Sequence, residues 1–139
     1  MPLELESLQK SVTALDLVWQ KSNDPEFMNG LDAVAVNAIK SGVIQHFEFT
    51  YELCWKFIKR WLEMNISTTA ADGATRRELF RMAAENLLID DVEQWMRHHD
   101  ARNKVSHTYQ PEIAESVCAA SKNFVEDAKK ITRSLGSQE

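Results

Sequence analysis

Apolar residues recur at steps of three and four along nearly the whole chain, and that periodicity confines it to helices. Leu5, Leu8, Val12, Leu15 and Trp19 form one such stripe. Asn23, Asp24 and Pro25 close it, because proline lacks the N–H that a continuing helix needs. Asn29 and Gly30 read as a loop. A second pattern runs from Leu31 to Met64, with Ile39, Val43, Phe47, Leu53, Trp55, Ile58 and Leu62 on its core side. Gly42 is its weak point, costing about 1 kcal/mol relative to alanine. A helix of that length is expected either to bend or break at Gly42, or to use it for close approach of another backbone.

The stretch from Asn65 to Gly73, rich in Thr, Ser and Ala, reads as a loop. Thr75 lies three residues before Glu78, a capping box that starts a third helix with Leu79, Met82, Ala83 and Leu87 on its buried side. Asp90 and Glu93 repeat that spacing for a fourth helix reaching Thr108. Pro111 pushes Gln110 out of the helical region and suits the first turn of a fifth helix, with Glu112 at its positive end. That helix carries Ile113, Val117, Ala120, Phe124, Ala128 and Ile131 and ends at Gly136. The 4 Gly and 3 Pro are too few for the tight turns of a β-sandwich. The expectation is an all-α, up-and-down bundle of four to five helices, one domain over residues 1–139.

Charge and composition exclude several classes. Lys and Arg number 16 against 21 Asp and Glu, a net charge of -5, which argues against a general DNA coater but leaves room for a local basic site. Cys54 and Cys118 form no metal-ligand pattern and fit a reduced, cytoplasmic protein. No apolar run approaches the ~20 residues of a membrane span. Met1 to Lys10 carries two glutamates and no apolar core, unlike a signal peptide. There is no Glu-x-x-His pair for a carboxylate-bridged metal, and the adjacent His98 and His99 point about 100° apart on a helix. No metal is expected. A Gly-rich phosphate loop and a Gly-x-Ser-x-Gly elbow are also missing.

Chemistry concentrates in one stretch, Arg97 to Tyr109, which holds three of the 4 histidines and the cations Arg97, Arg102 and Lys104. By composition alone it reads as a solvated helix face. Spacing says more. Asn103 and His107 are four apart and share a face, so the amide can orient the imidazole; Arg102 and Tyr109, seven apart, also share one. Arg102 and His107 lie roughly 140° apart on an ideal helix. They converge only through the long Arg arm, a distortion near the helix end, or a second copy of the chain. Pro111 places His107 in the last turn of the fourth helix. An imidazole beside a fixed guanidinium suits general acid–base work on a phosphodiester.

Elsewhere, Glu48 and Glu52 repel each other across one helical turn, so they either face solvent or share a cation. Lys56, Lys59 and Arg60 either pair with them or bind nucleic acid. Trp19, Trp55, Trp61 and Trp95 fit core or dimer-interface positions, and Cys54 a packed, inert one.

Arg102-Asn103-x-x-x-His107-x-Tyr109 resembles the Arg-x4-His-x-Tyr signature of HEPN proteins, the partners of minimal nucleotidyltransferases. The run Gly42 to Lys56 resembles a helix of the nucleotidyltransferase substrate-binding subgroup. Leu88-Ile89-Asp90-Asp91, Trp95-Met96 and Ser106 to Tyr109 are similar to that subgroup's second signature. The resemblance covers nearly the whole chain. It implies a HEPN-like helical bundle that forms a homodimer and is the toxin of a toxin–antitoxin pair. Its partner would be a nucleotidyltransferase subunit using Mg2+ and ATP, with no cofactor in this subunit. In such pairs the HEPN subunit is a metal-independent ribonuclease. By carry-over, His107 would move the proton, Arg102 would hold the phosphate, Asn103 would orient His107, and Tyr109 would be adenylylated to silence it. Arg97, His98, His99 and Lys104 are then candidate contacts to RNA or substrate. The other reading implied is a subunit that presents substrate to its partner and does no chemistry itself.

Overall fold

The computed structural model describes residues 3–137; residues 1, 2, 138 and 139, which the N-terminal and domain readings included, lie outside it. Six α-helices follow one another: α1 (Glu6–Ser22), α2 (Pro25–Asn29), α3 (Ala33–Asn65), α4 (Arg76–Glu85), α5 (Val92–Asn103) and α6 (Pro111–Ser137), with a 3-10 turn at Val105–His107. The fold is all-α, with no strand among the described residues. No described helix is long and apolar enough to cross a membrane.

The long helices α1, α3 and α6 pack on one another, while α4 and α5 pack together and against α3. Phe124 on α6 is the point where three helices meet. Phe47 of α3 stands edge-on to it at 5.0 Å, and Trp95 of α5 does the same at 6.0 Å. Each such buried side chain contributes on the order of 1.5–3 kcal/mol. Trp61 and Trp95 are buried, and Trp19 and Trp55 are half-buried against the same core.

Gly42 neither bends nor breaks α3, which runs unbroken over 33 residues. A Cβ at Gly42 would meet Val18 Cγ2 at 3.4 Å, so the glycine serves the close approach of α1.

Four local expectations are corrected. Pro25 does close α1, but it also opens the short helix α2, where Asp24 caps the N–H groups of Glu26 and Phe27 and the proline occupies the first turn. Leu87 is not buried: α4 stops at Glu85, and Leu87 takes a φ of 62° and stands 75% exposed. The N–H of Leu88 reaches Ala83 O at 2.9 Å and that of Leu87 reaches Ala84 O at 3.1 Å, a Schellman closure that buries Leu88 instead. The fourth helical stretch is capped by Asp91 rather than Asp90, its side chain accepting from Gln94 N at 3.0 Å.

Most consequential, α5 ends at Asn103 and does not reach Thr108. Hydrogen bonds from Lys104 N to Ala101 O and from His107 N to Lys104 O span three residues instead of four. The chain tightens there into the 3-10 turn that redirects it toward Pro111. The Thr75–Glu78 capping box forms in both directions, as its spacing predicts.

Candidate functional site

The site lies where the end of α5 meets α3. Arg102, in the last turn of α5, is half-buried. Its Nε donates to Glu52 Oε1 at 3.0 Å, and its Nη1 lies 3.7 Å from Glu48 Oε2. The cation that the like-charged pair Glu48 and Glu52 could share is therefore Arg102. Glu52 also accepts from the indole Nε1 of Trp55 at 2.9 Å, so one carboxylate ties an arginine of α5 to an aromatic of its own helix. The Arg76 guanidinium lies over the Trp55 ring, 3.6 Å from its centroid.

His98 and His99 diverge, as adjacent helical residues must. His98 is only 2% exposed; its Nε2 donates to Asp127 Oδ2 at 2.6 Å, and its ring stands edge-on to Phe124 and Trp95. Burial raises the Asp127 carboxyl, but the hydrogen bond and charge of His98, with Gln94 and Lys130, together hold it below its ordinary value. His98 is thus a core residue and not an RNA or substrate contact, because its ring faces the interior.

His99 faces the site. Its Nδ1 meets the hydroxyl of the buried Tyr51 at 2.8 Å and its Nε2 lies 3.4 Å from the Asn103 amide. Burial, then the Arg76 charge, pushes His99 below the ordinary histidine value, while burial drives the Tyr51 phenol upward. Tyr51 therefore keeps its proton, and its hydroxyl and Nδ1 of His99 share one hydrogen bond.

Asn103 is exposed and engages His99, not His107, so the expected orienting contact is not formed. The reason is the helix end: with α5 closed at Asn103, the two residues no longer stand one helical turn apart on a common face. His107 closes the 3-10 turn and is exposed, its ring 6.3 Å from that of Tyr109. Tyr109 is 77% exposed, and its hydroxyl accepts from Gln110 Nε2 at 3.3 Å. Arg97 is exposed and bonded to Gln94 at 2.9 Å, and Lys104 is exposed in the turn. Arg102, Asn103 and His99 thus gather beside Tyr51, Glu48 and Glu52. His107 and Tyr109 are both exposed, and no hydrogen bond joins Arg102 to His107 among the described residues. Among those residues no three His, Cys, Asp or Glu side chains converge as a metal site.

Sequence reasoning missed Tyr51, Trp55 and Arg76 as site residues. The repulsive Glu48–Glu52 spacing was the signal available, since it asked for a cation.

Residues 3–137 match the family described as nucleotidyltransferase substrate binding protein like. The chain belongs to that family. A Haemophilus influenzae relative named probable ribonuclease HepT is 30% identical over 134 residues, covering 96% of this chain and 92% of the relative. The solved structure of HI0074 from Haemophilus influenzae, described as revealing the fold of a substrate binding domain of a nucleotidyltransferase, superposes with a TM-score of 0.89 at 29% identity. It covers 95% of this chain and 98% of that one. Family membership bears out the resemblance to the nucleotidyltransferase substrate-binding subgroup and accounts for the helical fold.

Proposed function

We infer that this chain is the HEPN-type partner of a minimal nucleotidyltransferase and cleaves RNA as a homodimer. The observation that carries the reading is the pinned guanidinium. Arg102 is held by Glu48 and Glu52 at the edge of a turn whose His107 is free to meet a substrate. A fixed arginine binds a scissile phosphate without ordering a long side chain at the moment of reaction. His107 takes the proton of the ribose 2′-hydroxyl or returns one to the leaving 5′-oxygen, a transfer between side chain and substrate that calls for no metal. That Arg102 is bonded to Glu52 and not to His107 within one chain favours a two-fold assembly in which two such regions face each other. The family description and that of the HI0074 structure support a nucleotidyltransferase partner, which would use Mg2+ and ATP, and the name of the HepT relative supports the ribonuclease reading. Transfer of AMP from ATP to the Tyr109 phenol oxygen, with pyrophosphate leaving, would silence the site.

His107→Ala is expected to abolish RNA cleavage and cell toxicity while helix content stays unchanged, and Arg102→Ala to do nearly the same. Cleavage is expected to survive EDTA. The second reading, a subunit that binds substrate for its partner without chemistry, is favoured by the description of HI0074 as a substrate binding domain. A purified wild-type dimer that cleaves no RNA decides for that reading, and light scattering showing a monomer at micromolar concentration sinks the composite site.

A further inference from the structure

The three cations Lys56, Lys59 and Arg60 do not pair with Glu48 and Glu52, which are taken by Arg102. Lys56 and Arg60 lie over aromatic rings instead. Lys56 lies 5.7 Å from the Trp55 centroid, on the ring that Arg76 covers at 3.6 Å, and Arg60 lies 5.8 Å from Phe57. Arg76 Nε is buried and makes no hydrogen bond among the described residues. Lys59 and Arg76 line a pocket of about 220 Å³ with Trp55, Ala71, Gly73 and Ala74, and no carboxylate lines it. In a chain of net charge -5, this pocket is lined by two cations, Lys59 and Arg76, that pair with no acid among the described residues, and Lys56 lies over its Trp55 ring.

We propose that Lys59 and Arg76, with Lys56 and Arg60 at the rim, form a phosphate-binding subsite that holds the backbone of the RNA strand whose scissile phosphate lies at Arg102. Stacking on Trp55 fixes the Arg76 plane, so a phosphate meets a preset guanidinium fork. The same Trp55 donates to Glu52, which holds Arg102, so subsite and site share one rigid aromatic. No Asn, Gln, Asp or Glu side chain lines the pocket, and its cations Lys59 and Arg76 suit phosphate contact beside the stacking face of Trp55. The inference rests on the RNA reading of the site.

The test is fluorescence anisotropy with a short labelled single-stranded RNA, titrated at several salt concentrations. Each lost phosphate contact lowers the slope of log affinity against log salt by about 0.7 for a single strand. The double variant Lys59→Gln, Arg76→Gln is expected to bind more weakly for every sequence, with a slope smaller by about 1.4. Lys59→Gln alone leaves the Arg76–Trp55 stack intact and is expected to lower it by about 0.7, which keeps the test sound if the double variant folds poorly. His107→Ala is expected to keep the wild-type affinity and slope while losing cleavage. A wild-type protein that binds with this dependence yet cleaves nothing retains the subsite and rejects the ribonuclease reading. Unchanged affinity and slope in both variants, or no RNA binding by the wild type, overturns the subsite. A polyglutamate probe that binds as tightly as RNA, and loses as much on substitution, overturns it in favour of an acidic protein partner.

Discussion

Arg102 Nε donates to Glu52 Oε1 across 3.0 Å, joining two residues fifty apart in sequence and locking the end of α5 to the middle of α3. The pair is partly exposed, so its energy is modest. Its chemical value is positional, since it aims the guanidinium. Glu52→Gln is expected to cost about 0.5–1 kcal/mol of stability in urea unfolding. It is also expected to slow RNA cleavage more than it weakens the fold, because Arg102 loses its charged anchor. A cleavage rate equal to wild type in a folded Glu52→Gln dimer would show that Arg102 needs no support.

The Tyr51–His99 contact makes a prediction about pH. His99 lies below its ordinary value in the folded chain, so at mildly acid pH the unfolded chain binds more protons there. The contribution is fully present above the unfolded value of about 6.5 and is lost as pH falls below it. Unfolding free energy should therefore fall between about pH 7 and pH 5, and less steeply in His99→Gln. A Tyr51 hydroxyl that donates to Nδ1 stabilises the neutral imidazole, and Tyr51→Phe removes it. The His99 ring signals in NMR should then titrate at higher pH than in the wild type; a shift downward would show that Nδ1 of His99 donates to Tyr51 instead.

The exposed Tyr109 phenol is open to a partner enzyme, as a core tyrosine is not. Incubation with an active nucleotidyltransferase partner, ATP and Mg2+ is expected to add one or more AMP masses to the peptide holding Tyr109. The added phosphodiester brings about one negative charge that competes with RNA for the site cations. Tyr109→Phe should keep the fold and lose both the modification and the silencing. Intact-mass spectra without AMP would leave Tyr109 as a surface aromatic only.

Leu87 holds a φ of 62° with its side chain mostly in water. A left-handed conformation costs an L-residue about 1–2 kcal/mol, part of which glycine gives back through the freedom of the unfolded chain. Leu87→Gly is expected to raise stability by about 0.5–1 kcal/mol and the melting midpoint by about 2–3 °C, whereas Leu87→Ala should bring no such gain. Calorimetry distinguishes the two.

Much of the helical plan was legible in the chain because it is local. The Thr75–Glu78 box and the Pro111 start depend on neighbours three or four residues away, and both stand where their spacing put them. The errors fall at helix ends. Leu87 continued the apolar period and yet left the helix, and the stretch from Lys104 to Thr108 fitted a helix and yet tightened into a 3-10 turn. Both ends are set by where the next helix must start, which periodicity does not encode.

The sequence by itself determined an all-helical chain and gathered Arg102, Asn103, His107 and Tyr109 into one short stretch, since spacing and capping act through neighbouring backbone groups. Only the tertiary structure decided their company. Adjacent residues on a helix point about 100° apart, so one of His98 and His99 had to turn inward, and the position of Phe124 on α6 chose His98. The meeting of α5 with α3 gave Arg102 its carboxylates, and α4 laid Arg76 on Trp55. These partners lie 21 to 54 residues apart by position, and long-range contact is a property of how helix faces pack, which no local pattern in the chain specifies.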